Sequence, residues 1–202
     1  MIGIELTNIN LFLTGPLQVL NEMREDFKYR HPNAFFINKS MPGGRRWDGY
    51  VHPISEKGVV AAGFFPKIIT WLEERDIQYR VKDNREVIDP QVIKKKVGSL
   101  ELRPYQGEAI RAIINNYVGG VYYPRGVISA ATNAGKTLIL AATFLAYKNV
   151  KGLILLNDSN LYRQFLTDMP KILGDKWGYC QGKKIKFGQI TVAMVQTLVN
   201  HL

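Results

Sequence analysis

Apolar and polar positions alternate at the start of the chain. Ile2, Ile4 and Leu6 bracket Gly3 and Glu5, a period of two that predicts a strand. After Thr14-Gly15-Pro16 the period changes. Leu17, Leu20, Met23 and Phe27 recur at helical spacing, with Pro16 near the first turn. His31-Pro32-Asn33 breaks that helix. Ala34-Phe35-Phe36-Ile37 reads as a strand and Tyr50 to Ile54 as its return, with Gly43, Gly44 and Asp48-Gly49 marking tight turns. Val59-Val60-Ala61 adds a short strand. Pro66 opens a second helix carrying Ile68, Ile69, Trp71 and Leu72, and Ile77, Tyr79 and Val81 alternate again. Residues 1–82 thus read as a small α+β domain. Residues 83–98 are polar, carry Lys94-Lys95-Lys96 and read as a connector.

From residue 99 the pattern is different. Pro104 sits early in a helix with Ala109, Ile110, Ile113 and Ile114, closed loosely by Gly119-Gly120. Gly126-Val127-Ile128 predicts a strand, and Leu138 to Ala142 begins a helix that runs to about Lys148. Gly152 to Leu156 has the composition of a buried parallel strand. Asn157 to Asn160 offers a loop and cap, Leu161, Phe165, Leu166 and Met169 recur helically, and Ile190 to Met194 predicts a third strand. This β-α-β-α-β order calls for a parallel sheet with helices on its faces.

Between the Val127 strand and its helix lies Ser129-Ala130-Ala131-Thr132-Asn133-Ala134-Gly135-Lys136-Thr137. A tight loop entering a helix at Gly-Lys-Thr aims backbone N–H groups and the positive end of the helix dipole at one spot, which suits a phosphate. Lys136 would reach the β- and γ-phosphates, and the Thr137 hydroxyl would hold Mg²⁺. Only Gly135-Lys136-Thr137 fits the P-loop pattern strictly, because Ala130 stands where the full pattern has glycine. An ordinary strand-to-helix turn that contains Gly-Lys-Thr is the other reading.

Composition adds a partner. The chain has 202 residues, 46% hydrophobic and 22% charged, ordinary values for a soluble globular protein. No apolar run is long enough for a bilayer, no signal-peptide pattern opens the chain, and the single Cys180 cannot close an intrachain disulfide. These features fit the cytoplasm, that of the host cell if the gene is a phage's. Cys180 and three scattered histidines predict no structural zinc site. The net charge of +10 favours an anionic partner, most often nucleic acid. It is uneven: residues 1–98 hold 15 Lys/Arg and 12 Asp/Glu, and residues 99–202 hold 12 and 5, so the half with the loop is the more basic. Arg45-Arg46-Trp47 admits two readings. It is either a basic, aromatic loop that grips a nucleic-acid backbone, or a hairpin whose Trp47 anchors in the core while both arginines are solvated.

The order of these stretches resembles one family. Leu102-Arg103-Pro104-Tyr105-Gln106, followed by Glu108-Ala109-Ile110, resembles the adenine-reading segment of superfamily 2 helicases. Ala131 to Thr137 resembles their motif I, which tolerates loss of the first glycine and carries Thr where Thr132 stands. Leu153 to Leu156 with Leu161 and Gln164 resembles motif Ia, and Thr191 to Leu198 resembles the Thr-Gln motif that follows. Arg46-Trp47-Asp48-Gly49, a hairpin, Gly63-Phe64 and the elements after it resemble the N-terminal domain of UvsW-type phage helicases, which helps bind branched DNA. The resemblance implies a small α+β domain followed by an incomplete RecA-like P-loop domain over residues 99–202.

It also implies roles. Gln106 would bond the adenine edge and Arg103 would lie against the base. Thr132, Asn133, Ala134 and Gly135 would form the phosphate loop, with Lys136 and Thr137 as above, for ATP and Mg²⁺. Ser159 within Asn157–Ser159, and Gln196 with Thr197, would touch the DNA backbone, and Arg45, Arg46 and Trp47 shift toward DNA contact. Three departures stand out. Asn157-Asp158-Ser159 replaces the usual Pro-Thr, Asp158 puts an acid where a phosphate should pass, and Asn133 replaces a small loop residue.

The expected function is therefore the N-terminal part of an ATP-dependent helicase or translocase acting on branched or duplex DNA in recombination, repair or replication, with RNA as an open alternative. The family's Asp-Glu motif and second RecA-like domain do not occur before Leu202, so this chain is expected to bind nucleotide and DNA without useful turnover. Its partners would be DNA and the rest of the motor beyond Leu202, with no membrane. A motor subunit of a restriction or remodelling system, and a non-catalytic nucleic-acid-binding protein, are the competing readings.

Overall fold

The computed structural model describes residues 1–40, 47–86, 88, 90, 95–147 and 150–199. In chain order come β1 (Ile2–Leu6), β2 (Asn10–Thr14), α1 (Leu17–Phe27), β3 (Tyr29–Arg30), α2 (Ala34–Ser40), β4 (Tyr50–Val51), β5 (Val59–Ala61), α3 (Phe65–Glu73) and β6 (Tyr79–Asp83). They are followed by β7 (Lys96–Val97), β8 (Leu100–Glu101), α4 (Pro104–Ile114), β9 (Tyr117–Val118) and β10 (Val121–Tyr122). The last group is α5 (Lys136–Leu145), β11 (Gly152–Leu156), α6 (Ser159–Leu173), β12 (Trp177–Gln181), β13 (Lys184–Lys186), β14 (Ile190–Met194) and α7 (Val195–Val199). The chain forms two compact units, Met1–Val87 with Tyr117–Tyr123, and Ile88–Asn116 with Pro124–Leu202.

The first unit is built on a four-stranded sheet in the order β5-β2-β1-β6. β1 runs antiparallel to β2 and parallel to β6, so Ile4 faces Leu13 on one side and Val81 on the other. Its alternation has the expected result: Ile2, Ile4 and Leu6 are buried with Met23 of α1 and Phe65, Ile68, Ile69 and Leu72 of α3. Each such side chain contributes about 1.5–3 kcal/mol through burial. β2 has the same alternation in Leu11 and Leu13, both buried, and carries no expectation in the sequence reading.

Two segments of this unit depart from expectation. Ala34–Ile37 is the start of a helix, not a strand, and the partner of Tyr50–Val51 is Tyr29–Arg30. The reason is a tertiary contact. Asn38 Oδ1 accepts from the Trp47 N–H at 3.0 Å and its Nδ2 donates to the Trp47 carbonyl at 2.8 Å, a peptide-like pair that fixes α2 against the incoming chain. The second departure is Gly119-Gly120. It turns a hairpin between β9 and β10, with φ of 54° and 75°, the left-handed pair that a two-residue hairpin turn requires. Tyr123 follows, buried, with its Oη donating to the Ala62 carbonyl at 2.7 Å and its ring 5.3 Å from that of Phe65.

The second unit carries the sheet β11-β14-β12-β13. β11, β14 and β12 are parallel and β13 returns antiparallel on β12. The expected connector contains β7, which pairs with β8 around Gly98 at φ 60°. α4, α5 and α6 bury Ile110, Ile139, Phe165 and Met169 against Ile154, Ile190 and Val192. β11 is covered on one face only, since Ile154 and Leu156 are buried while Leu153 and Leu155 are exposed. Gly126–Ile128 forms no strand, and Val127 is 97% exposed. A strand needs a neighbour for its ladder, and β11, at the edge of this sheet, pairs with β14 alone. Among the described residues, no helix is long and apolar enough to cross a membrane.

Candidate functional site

The loop before α5 takes its shape from two residues in the left-handed region, Asn133 at φ 65° and Gly135 at φ 74°. Asparagine tolerates that region and glycine enters it freely. The Ala134 N–H donates to the Ala131 carbonyl at 3.2 Å, and the Leu138 and Ile139 N–H groups close on Gly135 O at 2.9 and 3.0 Å. Alternation of left-handed residues with ordinary ones turns successive N–H groups toward one concavity that suits an anion.

α4 holds the loop from behind. Gln106 is 3% exposed. Its Oε1 accepts from the Arg103 N–H at 2.9 Å, which caps α4, and its Nε2 donates to the Ala134 carbonyl at 2.9 Å. Tyr105 Oη also donates to that carbonyl at 3.0 Å, and Arg103 Nη1 donates to Tyr105 Oη at 3.3 Å. The loop's carbonyl is thus bound on the protein side. Gly135 is required twice over, because a Cβ there would lie 2.5 Å from Gln106 Nε2.

The helix that follows starts bare. No side chain caps α5 at Gly135. By contrast α6 is capped by Asp158, whose Oδ1 accepts from the Asn160 and Leu161 N–H groups, each at 2.8 Å. The first N–H groups of a helix have no intrahelical acceptor, so α5 presents donors at the point where Lys136, exposed, and Thr137, half-buried, begin the first turn. Arg103, Gln106, Thr132, Asn133 and Gly135–Thr137 line one cleft of about 690 Å³, closed on the other side by Leu161, Phe165 and Asp168 of α6. Ala134 lies in the loop without lining the cleft. These donors fit a polyphosphate. For a divalent ion the chain offers the Thr137 hydroxyl, and among the described residues no cluster of three His, Cys, Asp or Glu adds to it.

The other candidates are placed as follows. Arg103 is exposed at the cleft, and Gln106 spends one donor and one acceptor inside the protein. Ser159 opens α6 and is exposed, as is Gln196 on α7. Because Leu156 and Met194 are paired at the ends of neighbouring parallel strands, both segments leave the sheet at its C-terminal edge, the usual ligand side of such sheets. Thr197 is buried, and its Oγ1 accepts from the Gly182 N–H at 3.0 Å, a structural bond. Trp47 belongs to the first unit. It is half-buried, its Nε1 donates to the Tyr50 carbonyl at 2.9 Å and its ring lies 5.7 Å from that of His31. Arg45 and Arg46 lie outside the described residues.

The sequence reading missed Tyr105, although it stands inside the quoted stretch between Arg103 and Gln106. It also missed the β12–β13 hairpin with Lys183, Lys184 and Lys186. The Gly182 turn and the alternation around Ile185 were the available signals.

Residues 99–202 match the family described as type III restriction enzyme, res subunit. The fold is similar to two solved structures from bacteriophage T4. One, of UvsW, is 17% identical with a TM-score of 0.73, over 98% of this chain and 43% of that one. The other, of the UvsW helicase, is 16% identical with a TM-score of 0.71, over 98% of this chain and 76% of that one. No curated protein sequence matches.

Proposed function

The chain belongs to the type III restriction enzyme res-subunit family, a helicase family, and from that premise we propose that it is the nucleotide- and DNA-gripping portion of an ATP-driven helicase or translocase. The observation that carries this reading is the uncapped start of α5 at Gly135-Lys136-Thr137, held open by Gln106 and Tyr105. ATP, when bound, would supply the phosphoanhydride whose cleavage drives movement. The chain's own part is to bind and orient it. Backbone N–H groups of the loop receive the phosphates, the Lys136 ammonium neutralises charge on the outer ones, and the Thr137 hydroxyl gives Mg²⁺ one oxygen ligand. Arg103 borders the same cleft and would lie against the base.

Hydrolysis also needs a positioned water and a carboxylate on the metal, and these contribute several orders of magnitude in rate. For the nucleic acid, the +10 charge and the exposed Ser159 and Gln196 support a backbone grip, with Arg45, Arg46 and Trp47 as the contact of the first unit. The sequence resemblance of Arg46-Trp47-Asp48-Gly49 and the elements after it to the N-terminal domain of UvsW-type helicases favours branched DNA as substrate in recombination, repair or replication. The family's description favours a second reading, the motor subunit of a restriction or remodelling system.

The test is binding of a fluorescent ATP analogue with Mg²⁺ to the chain and to Lys136→Ala, followed by titration with forked DNA, plain duplex and RNA at two salt concentrations. Nucleotide binding lost in the variant, with salt-sensitive fork binding kept, supports the motor reading. Fork binding with no nucleotide binding by the wild type would leave a nucleic-acid-binding module. Equal affinity for fork and duplex supports the restriction-type reading.

A further inference from the structure

α2 is an amphipathic helix turned inside out. Residues three and four apart share a face, so Ala34, Ile37 and Asn38 lie together. That face is used: Ala34 is buried, and Asn38 holds the Trp47 backbone. The opposite face carries Phe35, Phe36 and Lys39. Phe35 is 71% exposed and Phe36 is 69% exposed, with ring centroids 5.6 Å apart at an interplanar angle of 83°. Lys39, one turn after Phe35, is exposed. Neighbouring elements continue the chemistry. Tyr29 and Tyr50 are exposed on β3 and β4, Arg30 pairs directly opposite Tyr50, and the Lys28 ammonium sits 5.2 Å from the centre of the Tyr50 ring.

Two adjacent exposed phenylalanines gain the fold nothing through burial, and a helix of this length gains nothing from them by propensity. The charge around them narrows what could cover them. Among the described residues from 28 to 50 are five aromatics (Tyr29, Phe35, Phe36, Trp47 and Tyr50) and three cations (Lys28, paired with Glu25, and the exposed Arg30 and Lys39) against one acid, Asp48. An apolar protein partner needs no such excess. A ligand with flat apolar faces strung on an anionic backbone matches both features, and single-stranded nucleic acid has that construction. In a duplex the base faces are stacked inside, so exposed rings have nothing to stack on.

We infer that Phe35 and Phe36 are a stacking platform for unpaired bases, with Lys39 and Arg30 drawing the backbone across it. The inference rests on the reading of the first unit as a nucleic-acid contact. It adds that this contact prefers an unpaired strand, and it names the rings that select it.

The test measures binding of the full chain to a single-stranded oligonucleotide, a fork with single-stranded arms and a blunt duplex. Phe35→Ala/Phe36→Ala is compared with Phe35→Leu/Phe36→Leu and Phe35→Trp/Phe36→Trp. Stacking contributes on the order of tenfold or more in affinity per base. The alanine and leucine pairs should lose at least tenfold on the single strand and on the fork and little on blunt duplex, while the tryptophan pair keeps wild-type affinity. The leucine pair is decisive, because it preserves apolar surface and removes the ring faces. Wild-type affinity in the leucine pair, equal loss on duplex and single strand, or a change from dimer to monomer in sedimentation would each overturn the inference. If the wild type binds none of the three nucleic acids, the reading of the first unit fails as well. If it binds and the alanine pair is unaltered, only the platform fails. The side chains are exposed, so unchanged melting of each variant is the expected control.

Discussion

Gln106 Nε2 donates to the carbonyl of Ala134 at 2.9 Å, so the amide at the head of α4 is built into the back of the loop before α5. Its other end caps α4 at Arg103. Each bond contributes about 1 kcal/mol net, and their loss loosens two elements together. Gln106→Ala should weaken binding of a fluorescent ATP analogue by about tenfold. Competition with GTP separates the two roles open to this side chain. Equal weakening for both nucleotides marks a loop support, and weakening confined to ATP marks an adenine contact.

Gly135→Ala tests the loop directly. The added Cβ meets Gln106 Nε2 at 2.5 Å in a backbone conformation at φ 74°. The strain costs about 1–3 kcal/mol. Nucleotide binding should vanish, with a modest fall in melting temperature. Wild-type nucleotide affinity in this variant would argue that the phosphates sit elsewhere.

Asp158 is the acid that stands where the family pattern has a neutral residue, and the structure gives it a local task. Its carboxylate caps α6 through Asn160 and Leu161. Asp158→Ala should cost about 0.5–2 kcal/mol in urea denaturation. Asp158→Asn should keep most of that stability, since asparagine caps about as well. If the DNA backbone passes here, Asp158→Asn should also raise DNA affinity, because a repulsive charge is gone.

The acid limb of stability should report on Asp83. Arg85, 5% exposed at its side chain, grips Asp83 through Nε to Oδ1 at 2.8 Å and Nη2 to Oδ2 at 2.7 Å. These bonds hold the Asp83 carboxyl below the usual carboxylate range, against an opposing push from burial. A carboxyl lowered in the folded state stabilises fully above its unfolded value, about 3.9, and that contribution fades as pH falls through the lower folded value. Asp83→Asn should therefore cost about 2 kcal/mol at pH 7 and much less at pH 2, measured by urea midpoints. A cost that does not change with pH would refute the charge-based account.

Much of the sheet framework is legible in the sequence, because side chains report burial by their period. Ile2, Ile4 and Leu6 alternate, Ile68, Ile69 and Leu72 repeat helically, and Ile190 to Met194 is apolar but for Thr191 and buried throughout. The loop at Gly135-Lys136-Thr137 is legible because its chemistry is local. Reading fails where a distant partner decides. Phe35, Phe36 and Ile37 favour strands by type, yet Asn38 and Trp47 make that segment helical. Val127 and Ile128 have strand character, yet a strand exists only beside another. Gln106 reads as a base contact from its motif, and only coordinates reveal that its amide braces the loop.

The hairpin at Tyr117–Tyr123 bears on how this protein could have been assembled. The first compact unit draws its buried Tyr123 from a stretch lying between α4 and the loop before α5. A gene fusion joined anywhere in residues 83–98 would deliver an accessory domain lacking that ring and its bond to Ala62, and a motor half carrying an orphan hairpin. Such a domain is a poor cassette for shuffling between motors. It and the motor must be inherited together, and homologues that share one should be sought for the other.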